Sequence, residues 1–148
     1  MKKTRPVLLV EDAEDYAALI QEELRSVEIP NPVLVVHSPD AAIAYLDPEG
    51  KFGDRSVYPL PCLMLLDLKF PEKSGFDVLR WLKDRPVIKN AMHIVVLSGV
   101  GQPAEVQLAY DLGTQFYMNK SDYLDPTAAA RYLKNCWLST FTGDGDGR

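Results

Sequence analysis

The chain's 148 residues are 47% hydrophobic and 25% charged, a length and composition that suit one globular domain of roughly 100–200 residues with a single core. With 16 basic against 21 acidic residues the net charge is −5, the wrong sign for a surface that gathers phosphate backbones, which argues against nucleic acid as a direct partner. No run approaches the ~20 apolar residues that cross a bilayer, and the apolar stretch behind Lys2, Lys3 and Arg5 is too short for a signal-peptide core, so no membrane contact and a cytoplasmic location are expected.

Taken in chain order, residues 7–10 form the first strand candidate. Ala13, Tyr16, Ala17, Ile20, Leu24 and Val27 then recur every three or four residues, which predicts a helix that closes before Pro30, Asn31 and Pro32. A second strand is expected over 33–36 and a short helix over 40–46. Residues 47–61, with three prolines and two glycines, read as a long surface connection. The third strand is expected over 63–66. The third helix, over 76–83 with Phe76, Leu79 and Leu82 on one face, should stop at Arg85-Pro86. A fourth strand over 93–97 precedes a helix opened by Pro103, carrying Val106, Leu108, Ala109 and Leu112, and capped by Gly113. The fifth strand is expected over 115–118. A last helix starts near Asp125-Pro126, with Ala129, Leu133, Cys136 and Trp137 at helical spacing. Strands alternating with helices predict an α/β fold, a doubly wound parallel sheet whose continuously apolar strands are buried on both faces. The tail Gly-Asp-Gly-Asp-Gly-Arg lacks the further ligands and closing glutamate of a calcium loop and is expected to be disordered.

Ligands of such a sheet bind beyond the carboxyl ends of the strands, where strand order reverses. The polar residues expected there are Glu11 and Asp12 after the first strand, Asp67 after the third, Ser98 after the fourth and Lys120 beyond the fifth. Three converging carboxylates repel one another unless a hard cation binds among them, and Mg2+ suits a few carboxylates together with water and phosphate oxygens. A lysine and a hydroxyl nearby would supply a charge and a hydrogen bond to a transferred phosphoryl group. Cys62 and Cys136 lie in apolar surroundings without ligand spacing, and neither His37 nor His93 has a partner at metal or triad spacing.

The acidic pair in V-L-L-V-E-D, Asp67 in L-L-D-L with Pro71 and Gly75 behind it, Ser98-Gly99 after I-V-V-L, and Lys120 together resemble the receiver domain of two-component response regulators, over about residues 6–141. The resemblance implies a flavodoxin-like three-layer sandwich of five parallel strands in order 2-1-3-4-5 with five helices, a receiver domain over 1–141 and a tail over 142–148. It implies a stand-alone CheY-like regulator in a phosphorelay, in which Asp67 accepts a phosphoryl group from a sensor histidine kinase or phosphotransfer protein. Glu11, Asp12, Asp67 and the backbone carbonyl of Lys69 would hold Mg2+. Ser98 and Lys120 would bind phosphoryl oxygens, and Tyr117 would switch with Ser98. Such a domain is no conventional enzyme, though it takes part in its own phosphorylation and dephosphorylation. Output would pass to a protein target or a second copy through the face over about 103–141, with Tyr110, Tyr132, Trp137 and Phe141 as anchors. Glu14, Asp15, Ala18 and Glu22 on the first helix are candidates for kinase recognition.

Two departures stand out. Ser121 follows Lys120 where receivers usually have proline, which implies a less rigid loop. Lys69 and Val100, each two residues beyond a site residue, imply slow self-dephosphorylation, since valine cannot orient water and the lysine can pair with the phosphoryl group. A phosphohydrolase with an acyl-phosphate intermediate is the competing enzyme reading, but Asp67-Leu68-Lys69 lacks that class's second aspartate. A phosphate-independent adaptor is the third reading, and the complete set of site residues counts against it.

Overall fold

In the computed structural model, which describes residues 4–26, 28–99, 101–120 and 134–135, all five apolar runs become strands. They are β1 (Val7–Val10), β2 (Val33–Val36), β3 (Leu63–Asp67), β4 (His93–Ser98) and β5 (Phe116–Asn119). The helices are α1 (Glu14–Ser26), α2 (Pro39–Leu46), α3 (Phe76–Lys83), α4 (Pro86–Lys89) and α5 (Pro103–Asp111). Every pairing is parallel and the order is β2-β1-β3-β4-β5, as expected. The predicted last helix, with Tyr132, Cys136, Trp137 and Phe141, lies outside the described residues apart from Lys134 and Asn135, which are helical. Val100, Ser121 and the tail lie outside them too.

Strand order and chain handedness together distribute the helices. From β1 the chain steps to β2 in one direction and then returns past β1 to β3, β4 and β5 in the other. Right-handed crossovers therefore put α1 on one face and α2, α3 and α5 on the opposite face. The period-2 alternation of the strands supplies a core to each face. Leu8, Val10, Met64, Leu66, Ile94 and Val96 pack with Ala42, Leu46, Val78, Leu79, Leu82 and Ala109. Val7, Leu9, Leu63, Leu65, Val95 and Leu97 pack with Ala17, Ile20 and Leu24 of α1.

Burial corrects one expectation. β1, β3 and most of β4 are buried on both faces, but all of β2 is only half-buried and Phe116 of β5 is exposed. Both are edge strands, so a continuous apolar run did not by itself distinguish a central position from an edge.

Element ends follow local chemistry. Ser38 caps α2 by accepting the Ala41 N–H at 3.1 Å, and Pro39 fits the first helical position, so the helix begins one residue before the expected start. Arg85-Pro86 ends α3 as predicted, but Pro86 then opens the extra single turn α4, where its missing N–H costs nothing. Gly113 follows α5 with φ +104°, the left-handed conformation that a C-terminal cap requires.

Residues 47–61 are a built loop and not merely a connection. The Arg55 guanidinium donates to the carbonyls of Tyr45, Leu46, Phe52 and Tyr58 at 2.6–3.3 Å, and the rings of Tyr45, Phe52 and Tyr58 pack together with centroids 5.0–6.5 Å apart. Charge-assisted hydrogen bonds contribute about 1.5–3 kcal/mol when well shielded, and this loop is partly open to water. Arg55→Met is therefore expected to lower stability by about 1–2 kcal/mol, read as a lower denaturant midpoint at unchanged slope.

His93 stacks on Phe116 at 5.7 Å, and burial pushes its imidazole below the usual histidine range. The neutral ring is thus favoured in the fold, and the unfolded chain binds more protons between the folded and unfolded values. The resulting stability is present above the ordinary value of 6.5 and lost as pH falls through it toward the folded value. Unfolding midpoints measured from pH 7.5 to 5.5 should drop in the parent protein and drop less in His93→Gln. Burial likewise pushes the Cys62 thiol up to about 11, which leaves it a neutral core group.

Candidate functional site

β3 and β4 each run one residue beyond the apolar stretch, so Asp67 and Ser98 are the last residues of their strands. In the sheet register Asp67 lies opposite Leu97, and Ser98 lies opposite Asn119, the residue before Lys120. Glu11 and Asp12 directly follow β1, the neighbour of β3. All five predicted polar residues therefore stand at the carboxyl edge of adjacent strands, and the reversal of order between β1 and β3 opens the crevice there.

Within that crevice Glu11 and Asp67 are buried while Asp12 is exposed. Carboxylate oxygens of the three lie within 4.8 Å of one another. Lys120 bridges two of them, donating from Nζ to Glu11 Oε1 at 2.7 Å and to Asp67 Oδ2 at 3.2 Å. The Ala13 N–H donates to Glu11 Oε2 at 3.0 Å, and the Lys69 N–H donates to Asp67 Oδ1 at 3.3 Å. The backbone of Glu11 is itself fixed, its N–H donating to the Val36 carbonyl at 3.0 Å and its carbonyl accepting from His37 Nδ1 at 3.0 Å.

Charge in the cluster does not balance, with three carboxylates facing one ammonium. Burial pushes the Glu11 carboxyl up, against the opposing pull of Lys120 and the Ala13 N–H. Burial also draws the Lys120 ammonium down, but its hydrogen bond to Glu11 and the charges of Asp67 and Glu11 outweigh this and leave it above the usual lysine range. A cluster of hard oxygen donors that still lacks positive charge fits a divalent cation. Glu11, Asp12 and Asp67 are the residues that would hold it, and its charge would lower their mutual repulsion.

The remaining predicted residues divide. Ser98 is fully buried, and its hydroxyl has no hydrogen-bond partner among the described residues. Such an orphaned donor at the end of β4 calls for an acceptor that the described residues do not provide. Tyr117 packs partly buried against the core on the α3 and α5 face, with its hydroxyl also unpartnered among the described residues and its ring against the backbone of Gly101. The Lys69 side chain is not at Asp67. Its Nζ pairs with Glu105 Oε2 of α5 at 3.5 Å, while the Glu105 Oε1 accepts the Gln102 N–H at 3.3 Å.

Three contributors escape a reading of the sequence alone. Tyr16 belongs by spacing to the apolar stripe of α1, yet its ring lies under Lys120 with Nζ 4.2 Å from the centroid. Glu105 looks like an ordinary first-turn glutamate, and only the fold brings it to Lys69. Gly75 is part of the motif, but its reason is spatial. A Cβ there would lie 2.1 Å from the Asp67 carbonyl oxygen and 2.9 Å from the Leu68 Cα.

Comparison with known proteins agrees with this geometry. The family model described as response regulator receiver domain matches residues 7–126. Response regulator Rcp1 of Synechocystis sp. is 33% identical over 137 residues, covering 92% of this chain and 90% of Rcp1. The crystal structure of the phosphorylated cyanobacterial phytochrome response regulator RcpA superposes with a TM-score of 0.77 at 31% identity, covering 95% of this chain and 96% of that one. The Mn(2+)-bound form of Rcp1 gives 0.78 at 31% identity, covering 92% of this chain and 96% of that one.

Proposed function

On the premise that the chain belongs to the response regulator receiver domain family, the phosphoacceptor module of two-component phosphorelays, we propose that Asp67 is its phosphoacceptor and Mg2+ its cofactor. The observation that carries this reading is the buried Asp67 carboxylate held between Lys120 and the Glu11/Asp12 pair at the strand-order reversal.

The residues divide the work as follows. Asp67 attacks the phosphorus of a phosphohistidine through a carboxylate oxygen, and the P–N bond breaks with the imidazole leaving as the P–O bond forms. Glu11, Asp12, Asp67 and the Lys69 carbonyl would hold a divalent cation, which when bound would neutralise charge on the transferred group. Lys120 donates to one phosphoryl oxygen, and the Ser98 hydroxyl, which has no other partner among the described residues, donates to another. Burial of Asp67 and Ser98 at 4% and 0% exposure restricts water at the acyl phosphate. Tyr117, whose ring is half-buried, is the switch element that would turn inward as Ser98 moves toward that group in this reading. Lys69, paired with Glu105 before transfer, is close enough in sequence to exchange onto the phosphoryl group and prolong its life.

The donor is a sensor histidine kinase or phosphotransfer protein. Because RcpA is described as a phytochrome response regulator, a light-sensing kinase is the first donor to test. Glu14, Asp15, Ala18 and Glu22 are all exposed on α1 beside the site and suit kinase recognition. Output passes to a protein target or a second copy through the α5 and β5 face, where Tyr110 and Phe116 are exposed at 43% and 38%. Among the described residues no helix is long and apolar enough to cross a membrane, and the reading places the protein in the cytoplasm with the kinase.

Incubation with acetyl phosphate and Mg2+, followed by intact mass, is expected to show one added phosphoryl group on the parent and none on Asp67→Asn. An unmodified parent protein would return the reading to a phosphate-independent adaptor. Turnover of a phosphomonoester would favour the hydrolase.

A further inference from the structure

Lys120 reaches its site from just beyond an edge strand on a flexible four-carbon stem, and both of its ionic partners are carboxylates of the candidate metal cluster. A divalent cation among those carboxylates would compete for the same oxygens and repel the ammonium directly. The contact that such competition leaves untouched is the face of Tyr16, 4.2 Å from Nζ. A ring face attracts an ammonium through its quadrupole and binds no divalent cation at its edge, so this attraction persists when the carboxylates are shared. The ring is half-buried in the first turn of α1, the helix that begins two residues after the acidic pair, so a short connection ties it to Glu11 and Asp12.

We propose that Tyr16 is a positioning residue for the phosphoryl-transfer site, holding the Lys120 ammonium beside Asp67 by a cation–π contact while the neighbouring carboxylates are occupied by metal. The inference rests on the reading of Asp67 as acceptor. Tyr16 acts through Lys120 and touches neither the transferred group nor the metal. What matters is the ring face, so phenylalanine should serve as well as tyrosine and an aliphatic side chain should not.

The test measures the rate of phosphoryl incorporation from acetyl phosphate in the full chain, together with Mg2+ affinity by calorimetry. The variants are Tyr16→Phe, Tyr16→Leu and Tyr16→Met, the last being a second ring-free variant in case leucine disturbs folding. Tyr16→Phe is expected to stay within about 2-fold of the parent. Both ring-free variants are expected to lose roughly 3- to 10-fold in rate, the range of a partly exposed cation–π contact, with Mg2+ affinity unchanged or improved. Equal rates in all four proteins would overturn the proposal. So would a loss in Tyr16→Phe as large as in Tyr16→Leu, which would assign the effect to the hydroxyl. A fall in Mg2+ affinity parallel to the rate would assign it to general damage of the site and overturn it as well. If the parent protein takes up no phosphoryl group, the acceptor reading itself fails and this inference falls with it.

Discussion

Replacing Lys120 with methionine is expected to slow phosphoryl incorporation at Asp67 by about 100-fold or more and to make the stability of the fold depend on divalent cation. The rate effect follows from removing a preorganised charge aimed at the transferred group, a loss that typically costs about 10²- to 10³-fold. The stability effect follows from what is left behind. Glu11 and Asp67 are 1% and 4% exposed, and without Lys120 they face each other with no other paired cation among the described residues. Breaking a buried ion pair from one side costs about 3–5 kcal/mol. The Lys120 side chain keeps 21% exposure, so water already screens part of the interaction and about 2 kcal/mol is the better expectation.

Two controls separate this account from simple loss of packing. On the proposed reading Mg2+ would bind the folded state alone and stabilise it in proportion to the logarithm of its concentration over Kd. It should therefore raise the unfolding midpoint of Lys120→Met more than that of the parent, where the ammonium competes for the same oxygens. The pH response should also have a particular sign. Burial already pushes the Glu11 carboxyl above its ordinary value of 4.5, and losing Lys120 pushes it further in the same direction. For such a group the folded state binds more protons than the unfolded one, so stability is lost as pH rises from about 4.5 through the folded value. Without metal, Lys120→Met should therefore become more stable on mild acidification. Stability insensitive to both Mg2+ and pH would mean that the ammonium does not balance the carboxylates.

Gly75→Ala should have the second largest effect, and for a reason unrelated to backbone freedom. Gly75 has φ −60° and ψ −22°, a conformation open to any residue. What it lacks is room, since a methyl group would meet the Asp67 carbonyl oxygen at 2.1 Å, the Leu68 Cα at 2.9 Å and the Asp67 carbonyl carbon at 3.1 Å. All three are backbone atoms and cannot rotate away, and the segment is further held by the Gly75 N–H donating to the Leu68 carbonyl at 3.0 Å. Relief requires moving the end of β3 or the start of α3. Overpacking of this kind costs about 1–3 kcal/mol. Displacement of the acceptor by about 1 Å can cost about 100-fold in rate, so incorporation should fall much more than stability. Gly99→Ala is the matched control, because a Cβ there meets nothing within 4 Å among the described residues and should leave stability within about 0.5 kcal/mol. Equal behaviour of the two variants in unfolding and labelling experiments would refute the steric account.

Local physics made much of the architecture legible in the chain. Four of the five strands required only short runs rich in Val, Leu and Ile and β5 the run Phe116-Tyr117-Met118, and Pro103 with Gly113 bracketed α5 because proline and glycine act through their own backbones. Where the expectation failed, a non-local cause was responsible. Equal hydrophobicity in β1 and β2 hides the fact that β2 is an edge, since burial depends on what lies beside a strand. The ordering of residues 47–61 depends on Arg55 reaching four carbonyls that no periodic pattern encodes.

The site shows the same division. By itself the sequence determined which groups stand at strand ends, because alternating apolar and polar segments place Glu11, Asp12, Asp67, Ser98 and Lys120 wherever a doubly wound sheet runs out of apolar residues. Tertiary structure alone decided how those groups share charge and space. It buried Glu11 while leaving Asp12 in water, laid Lys120 between two carboxylates, turned Lys69 to Glu105, put the Tyr16 ring under the ammonium and pressed Gly75 against the Asp67 backbone. Each of these contacts except the last joins segments far apart in the chain, such as Lys120 with Glu11 and Asp67 or Lys69 with Glu105. Electrostatic and steric terms depend on distances of a few ångströms, and only closure of the sheet determines those distances.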